Sequence, residues 1–184
     1  MKLNLGAGQN PVDGFVSVDK HGRPDVKHDL EIFPWPWPTS TIDEVMMYHS
    51  LEHMGRDPDI FCGIMKELYR VCCNGAIVHI AVPHPRHDNF IDDPTHVRII
   101  TPELLGCFSK EINAKAKAAG SPNSPLAVYY DVDFEIVDAT FVLAEPYLTM
   151  YKNGSSEFRN RVPEMMKTLN NVVQEYRIDL RVIK

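Results

Sequence analysis

Apolar and polar positions alternate in a way that divides the chain into short strands and a few helices. Leu3-Asn4-Leu5 reads as a strand running at once into Gly6-Ala7-Gly8, and Phe15-Val16-Ser17-Val18 as a second strand ending in Asp19. Pro24-Asp25 leads to a very short third strand at Val26-Lys27-His28, and Ile42–Tyr48 predicts a fourth. Asp57 and Pro58 are residue types suited to an N-cap and a first helical position. Beyond them Phe61, Ile64, Met65, Leu68 and Cys72 recur at helical spacing, predicting an amphipathic helix stopped by Asn74-Gly75. Residues 76–82 are almost continuously apolar, as expected of a parallel-sheet strand covered on both faces. His79, the interruption, is expected to pack within that sheet.

The second half is more broken. Pro83 to Ile100 reads as a polar, proline-punctuated loop. Thr101-Pro102 starts a helix with Leu104, Leu105, Phe108 and Ile112 on one face, running towards Gly120, and residues 120–125 are turn-rich. Residues 134–144 predict a long strand. A further helix is expected from Val162-Pro163, its apolar face made by Met165, Met166, Leu169, Val172 and Val173. Tyr176, Ile178, Leu180 and Val182 alternate with polar residues, predicting a half-buried closing strand antiparallel to the one before. These elements predict an α/β fold: a Rossmann-like, mostly parallel sheet flanked by helices, with an antiparallel C-terminal strand. Only nine residues, Gly6 to Gly14, join the first two strands. A parallel crossover ordinarily takes about a dozen or more, so either this one is reduced to a turn or the strand order differs.

A length of 184 residues suits one domain over 1–184, with a variable insertion at 119–161. Hydrophobic residues make up 44% and charged residues 24%, which excludes collagen, coiled coil and wholesale disorder. Lys and Arg number 19 against 25 Asp and Glu, and no dense basic cluster occurs, so a nucleic-acid partner is disfavoured and a small molecule favoured. No apolar run reaches the length of a membrane span, and the first residues lack the apolar stretch of a signal peptide. Cys62, Cys72, Cys73 and Cys107 form neither CxxC nor a disulfide framework, and are expected to be small buried hydrophobes in a reducing compartment, the cytoplasm. A homodimer is left open.

Candidate chemistry concentrates after the strands. Small residues following the first strand let the backbone approach a ligand, and an acid one strand over, Asp19, can accept from ribose hydroxyls. The run is not the GxGxxG fingerprint, because Gln9-Asn10-Pro11 follows Gly8. His49 and His53 follow the fourth strand; His84, His87 and His96 follow the fifth, among Asp88, Asp92 and Asp93. Histidine is the natural base near neutral pH. A metal is disfavoured: His49 lies at a strand end rather than on a helix, and Glu52 is misplaced for HExxH. The tryptophans of Phe33-Pro34-Trp35-Pro36-Trp37-Pro38 either cover the open side of a cofactor pocket or pack this stiff loop onto the body. Tyr129-Tyr130-Asp131 and 146–151 would line an acceptor pocket or form a subunit contact.

The ordered series Leu3-Asn4-Leu5-Gly6-Ala7-Gly8, Val18-Asp19, His28-Asp29-Leu30, Ile42-Asp43-Glu44-Val45, His49-Ser50-Leu51-Glu52-His53 and Glu67-Leu68-Tyr69-Arg70-Val71 with Asn74-Gly75 resembles the small class I methyltransferases that use S-adenosylmethionine. The likeness covers about the first hundred residues. It implies that Gly6, Ala7 and Gly8 pass the amino-acid part of the cofactor and that Asp19 binds the ribose hydroxyls. Asp29 and Leu30 would lie at the adenine, and His49 beside the sulfonium. Asp93-Pro94-Thr95-His96-Val97-Arg98 also resembles a segment of some members. On that basis His96 is the expected base or acceptor-orienting residue, held by Asp93, with His53 as the competing base. Arg98 would hold a substrate carboxylate or phosphate. The chain departs from larger members in lacking a helix ahead of the first strand. The expected activity is methyl transfer to a small-molecule acceptor, O-methylation slightly favoured over N-methylation. The alternatives are a non-catalytic methyltransferase-like binding or regulatory protein, and a protein or nucleic-acid methyltransferase. No Asn-Pro-Pro-Tyr-type segment follows the fourth strand, which argues against adenine N-methylation.

Overall fold

The computed structural model describes residues 1–184. Its strands are β1 (Lys2–Leu5), β2 (Val16–Asp19), β3 (Val26–Lys27), β4 (Ile42–Tyr48), β5 (Cys72–Pro83), β6 (Phe134–Leu143) and β7 (Val173–Val182). The helices are α1 (Pro58–Val71), α2 (Asp88–Ile91), α3 (Pro102–Gly106), α4 (Lys110–Ala118), α5 (Leu126–Tyr129), α6 (Tyr147–Asn153) and α7 (Ser156–Thr168). All seven strands join one sheet in the order β3-β2-β1-β4-β5-β7-β6. The first five are parallel, and β7 runs antiparallel to both β5 and β6. The sheet is therefore Rossmann-like, with β7 the strand that runs against the other six. Strand order reverses between β1 and β4, which makes the crevice beyond their carboxyl ends the natural ligand site of such a sheet. No helix is long and apolar enough to cross a membrane.

The short first crossover is a turn. β1 pairs directly with β2, and after it the amides of Gly6 and Ala7 both donate to the carbonyl of Val18, at 2.9 and 3.1 Å. The backbone is thus held against β2 without an intervening helix.

Helix α1 begins as its residues predict. Asp57 accepts from the amide of Asp59 at 2.8 Å, and Pro58 occupies the first turn. Its buried face carries Phe61, Ile64, Met65 and Leu68. It ends at Val71, earlier than expected, because the amides of Ser40 and Thr41 take the carbonyls of Arg70 and Val71 and Cys72 turns extended. Asn74 and Gly75 lie instead in an irregularity within β5, where Gly75 has φ +82° and the register steps from Ile42↔Cys72 to Glu44↔Ile77.

Three other expectations are corrected. The helix from Pro102 breaks in two, because Ser109 caps α4 by accepting from the amide of Ile112 while Phe108 turns fully inward. The last helix starts at Ser156, not at Val162-Pro163: Ser155 is its N-cap, accepting from the amide of Phe158, and Pro163 lies inside it. Val172 and Val173 leave the helical face, since Leu169 is already extended and Asn171 adopts φ +58° before Val173 opens β7 opposite Leu143. Within the expected loop Pro83–Ile100, His87 caps the short α2. The stretch 119–161 contains β6, a strand of the main sheet.

Twenty-nine buried residues form the main core, which includes Trp35 and Trp37. The proline-rich segment is packed onto the body. Trp35 donates its amide to Glu67 at 2.6 Å and its indole N–H to the Leu30 carbonyl at 3.0 Å. Arg70 pairs with Glu67 and donates to the carbonyls of Trp35 and Trp37. This Arg70 guanidinium holds the Glu67 carboxyl below its ordinary pKa. Glu67 thus anchors a loop of otherwise unpaired backbone groups. Replacing it with alanine strands the Trp35 amide and is expected to cost about 2 kcal/mol of stability, the loss of charge-assisted bonds at a buried site. Denaturant unfolding measures it; an unchanged midpoint would remove Glu67 from this role.

The cysteines lie apart from any disulfide; Cys62 and Cys72 are buried and Cys73 and Cys107 partly so. Desolvation pushes the Cys72 thiol up to about 12, so it is an inert, neutral packing group. His79 lies on β5 between acids of both neighbouring strands, 2.8 Å from Asp179 and 3.3 Å from Glu44.

Candidate functional site

Beyond the carboxyl ends of β1, β2 and β4 lies a cavity of about 510 Å³, within the range of ordinary small-molecule sites. Gly6 and Gly8 form one wall, Asp19, Asp29 and Leu30 another, and His49, Ser50, His53 and Thr95 close the third. Gly6 has φ +72°, and a Cβ there would overlap the Cβ of Ser50, so only glycine fits. Ser50 secures the approach by donating its hydroxyl to the Leu5 carbonyl at 2.9 Å. Gly8 has φ +55° with open space where a side chain would stand, leaving its backbone bare towards the cavity. Ala7 is buried beneath it.

Asp19 is oriented by the backbone. One carboxylate oxygen accepts from the amide of Gly8 at 2.9 Å, the other from that of His21 at 2.7 Å. A carboxylate offers about four lone-pair positions, so these two bonds leave both oxygens able to accept again. Asp29 accepts from the amide of Glu31 at 3.1 Å and lies 3.6 Å from the Lys20 ammonium, capping the turn that carries Leu30 into the cavity wall. Leu30 is 4% exposed.

His49 follows directly on β4 with φ +50°. Its Nε2 lies 3.1 Å from Glu175 at the start of β7, and its Nδ1 lies 3.6 Å from Glu52. The Glu52 carboxylate first, and Glu175 after it, push His49 above its ordinary pKa against the opposing effect of burial.

The turn at 51–53 then carries Glu52 inward and His53 outward. His53 Nδ1 lies 2.8 Å from the Thr95 hydroxyl, which lies 2.6 Å from Asp93. The carboxylate can only accept, so Thr95 donates to it and accepts from His53 Nδ1–H. That fixes the tautomer and leaves the His53 Nε2 lone pair free. Asp93, held below its ordinary pKa by the bonds from Thr95, keeps its negative charge.

His96 is placed differently. Its Nδ1 lies 3.0 Å from the Phe90 carbonyl, its ring stacks on Phe90, and its side chain is 8% exposed. Asp93 hydrogen-bonds Thr95, and its nearer approach to His96 is 3.8 Å. Arg98 is committed elsewhere: it donates to the Gly55 carbonyl and covers the Phe61 ring at 4.4 Å, so it is not free to clamp a substrate anion. His84 is buried against Tyr176, and burial lowers its pKa; His87 caps α2, and Asp88 bonds Asn171. These three do not join the cavity wall.

Glu52, Thr95 and Glu175 were not expected at the site. Thr95 sits between two suspected residues, so its position was the available signal. Glu175 is 126 residues from His49 and reaches it only through the antiparallel pairing of β5 with β7.

No family model matches the chain, and no curated protein sequence does. Solved structures do match across nearly its whole length. A SAM-dependent methyltransferase from Archaeoglobus fulgidus superposes with a TM-score of 0.62 at 21% identity, covering 98% of this chain and 85% of its own. The 1,6-didemethyltoxoflavin-N1-methyltransferase of Burkholderia thailandensis, solved with bound 1,6-didemethyltoxoflavin and S-adenosylhomocysteine, gives 0.54 at 13% identity, covering 100% and 71%. The [4+2]-cyclase SpnF gives 0.52 at 16% identity, covering 99% and 74%. At such identities the likeness is one of architecture, and a cyclase shares it. The chain has the fold of the class I S-adenosylmethionine-dependent methyltransferases.

Proposed function

We propose that the protein is an S-adenosylmethionine-dependent methyltransferase acting on a small-molecule acceptor, with a hydroxyl favoured as the group methylated. The observation that carries this reading is the meeting, in one cavity, of a bare glycine backbone, a carboxylate with spare lone pairs and a histidine with a free Nε2.

The residues present suit the cofactor. Gly6, Ala7 and Gly8 would accommodate its amino-acid part, since the wall there is backbone alone. Asp19 would take the two ribose hydroxyls on its remaining lone pairs. Leu30 offers an apolar face to the adenine, and Asp29 an acceptor at its edge. His49, anchored between Glu52 and Glu175, would border the sulfonium end. When bound, S-adenosylmethionine supplies an electrophilic methyl group for direct displacement.

What the chain itself contributes is alignment and a proton acceptor. His53 Nε2 is positioned to take the acceptor's hydroxyl proton. The imidazolium so formed keeps its Nδ1–H on Thr95, whose hydroxyl remains on the anionic Asp93. The charge is stabilised without moving a second proton. This geometry favours His53 over His96 as the base, with Asp93 acting through Thr95.

The α6–α7 segment connects β6 to β7 at the edge of the sheet where Glu175 meets His49. A buried cluster of Leu143, Val162, Val172 and Val173 holds this segment to the sheet, and its helices would border the acceptor side of the site. Purified protein incubated with S-adenosylmethionine and pooled hydroxylated metabolites is expected to release S-adenosylhomocysteine only when an acceptor is present. Cofactor binding without release on any acceptor pool would favour a binding or regulatory role instead.

A further inference from the structure

We propose that Glu52, His53 and His96 form a binding site for a divalent transition-metal cation of the zinc class. One ligand atom from each of these residues lies within 4.8 Å of the others. Coordination at about 2.0–2.2 Å needs only a modest further closure of the three side chains.

The first observation is a buried carboxylate without a hydrogen bond. Glu52 is 1% exposed, and neither of its carboxylate oxygens accepts a hydrogen bond. Buried carboxylates are ordinarily paired, hydrogen-bonded or bound to metal, because losing water without replacement is costly. Arg98, whose backbone amide donates to the Glu52 carbonyl, does not serve: its guanidinium is turned to the Gly55 carbonyl and the Phe61 ring. His49 Nδ1, at 3.6 Å, is beyond hydrogen-bonding distance, and the same ring is drawn towards Glu175 through Nε2.

The second observation is the tautomer of His96. The Phe90 carbonyl can only accept, so Nδ1 carries the hydrogen and the neutral ring presents a lone pair at Nε2. That Nε2 faces Glu52 at 4.0 Å and Asp93 at 3.8 Å. Lone pairs from one imidazole and two carboxylates thus converge with no positive charge between them. A cation resolves this; a proton on Nε2 is the competing solution.

The third is the support behind the ligands. Both histidines donate their other N–H, one to a backbone carbonyl and one to a hydroxyl backed by a carboxylate, the pattern that orients metal-binding imidazoles. Two imidazoles and one carboxylate suit zinc and neighbouring transition metals better than magnesium or calcium. His53 would ligate through Nε2, the lone pair used by the proposed base, so the metal-free protein is the form in which His53 takes a proton directly.

The site rests on these contacts and not on methyl transfer, and its test needs neither cofactor nor acceptor. Full-length protein, stripped with chelator and checked for folding by circular dichroism, is titrated calorimetrically with zinc chloride alone. One saturable equivalent is expected. Glu52→Gln and His96→Gln should each weaken it at least tenfold. His53→Gln, at an exposed position that does not threaten folding, should weaken it likewise. No saturable binding to folded wild-type protein, or undiminished binding in His53→Gln, overturns the proposal and assigns the convergent lone pairs to a protonated His96. A parallel titration with S-adenosylhomocysteine separates the two readings: zinc bound without it would leave the metal site standing and methyl transfer in doubt.

Discussion

Replacing His53 by alanine should lower acceptor-dependent turnover by about 10²–10⁴-fold, the usual range for loss of a positioned general base, with cofactor affinity unchanged. The expectation rests on direction as much as on proximity. Asp93 holds Thr95, Thr95 receives the Nδ1–H of His53, and Nε2 is left as the free acceptor in the cavity wall. No other histidine of the wall has both a fixed tautomer and an open nitrogen. His49 has its two nitrogens turned to Glu52 and Glu175. His21 and His28 have no ring hydrogen bond that fixes a tautomer. His96, outside the wall, lies with its ring centroid 4.6 Å from that of His53 and faces carboxylates. Thr95→Val, which breaks the chain to Asp93 and leaves the imidazole in place, should give a smaller loss of turnover in the same direction. Steady-state kinetics with S-adenosylhomocysteine as the detected product measure both. Wild-type turnover in His53→Ala would contradict the assignment.

Asp19→Ala should weaken S-adenosylhomocysteine binding by about 3 kcal/mol, roughly a hundredfold. Two hydroxyl donors to one carboxylate are at stake, and hydrogen bonds to charged acceptors contribute about 1.5–3 kcal/mol each. The substitution also frees the amides of Gly8 and His21, which now hold the carboxylate and the glycine turn in register. Part of the loss is therefore expected from a loosened backbone. Asp19→Asn, which keeps one acceptor oxygen, should fall between the two. Unchanged affinity in the alanine variant would remove Asp19 from the site.

The strand pattern of the first hundred residues was legible because each element declares itself locally. Asp57 and Pro58 announce α1, and the apolar run after Gly75 announces β5. Glycines after β1 and an acid at the end of β2 are likewise local signals, and topology then places them on one edge. What stayed hidden depends on contacts between distant residues. Val71 ends α1 because Ser40 and Thr41 take the last carbonyls, thirty residues away in the chain. Ser109 is a cap only because Phe108 turns into the core, which the continuous apolar stripe from Leu104 to Ile112 does not show. Nothing local shows that the turn at 51–53 buries Glu52 among His49, His53 and His96. Arg98 looked like a substrate clamp, but the carbonyl of Gly55 and the face of Phe61 already occupy it.

Calorimetric titration of the purified chain with S-adenosylhomocysteine, with NAD as control, tests the proposed cofactor site most directly. Saturable one-to-one binding of S-adenosylhomocysteine and none of NAD is the predicted result. Binding of NAD instead, or of neither by folded protein, would contradict it.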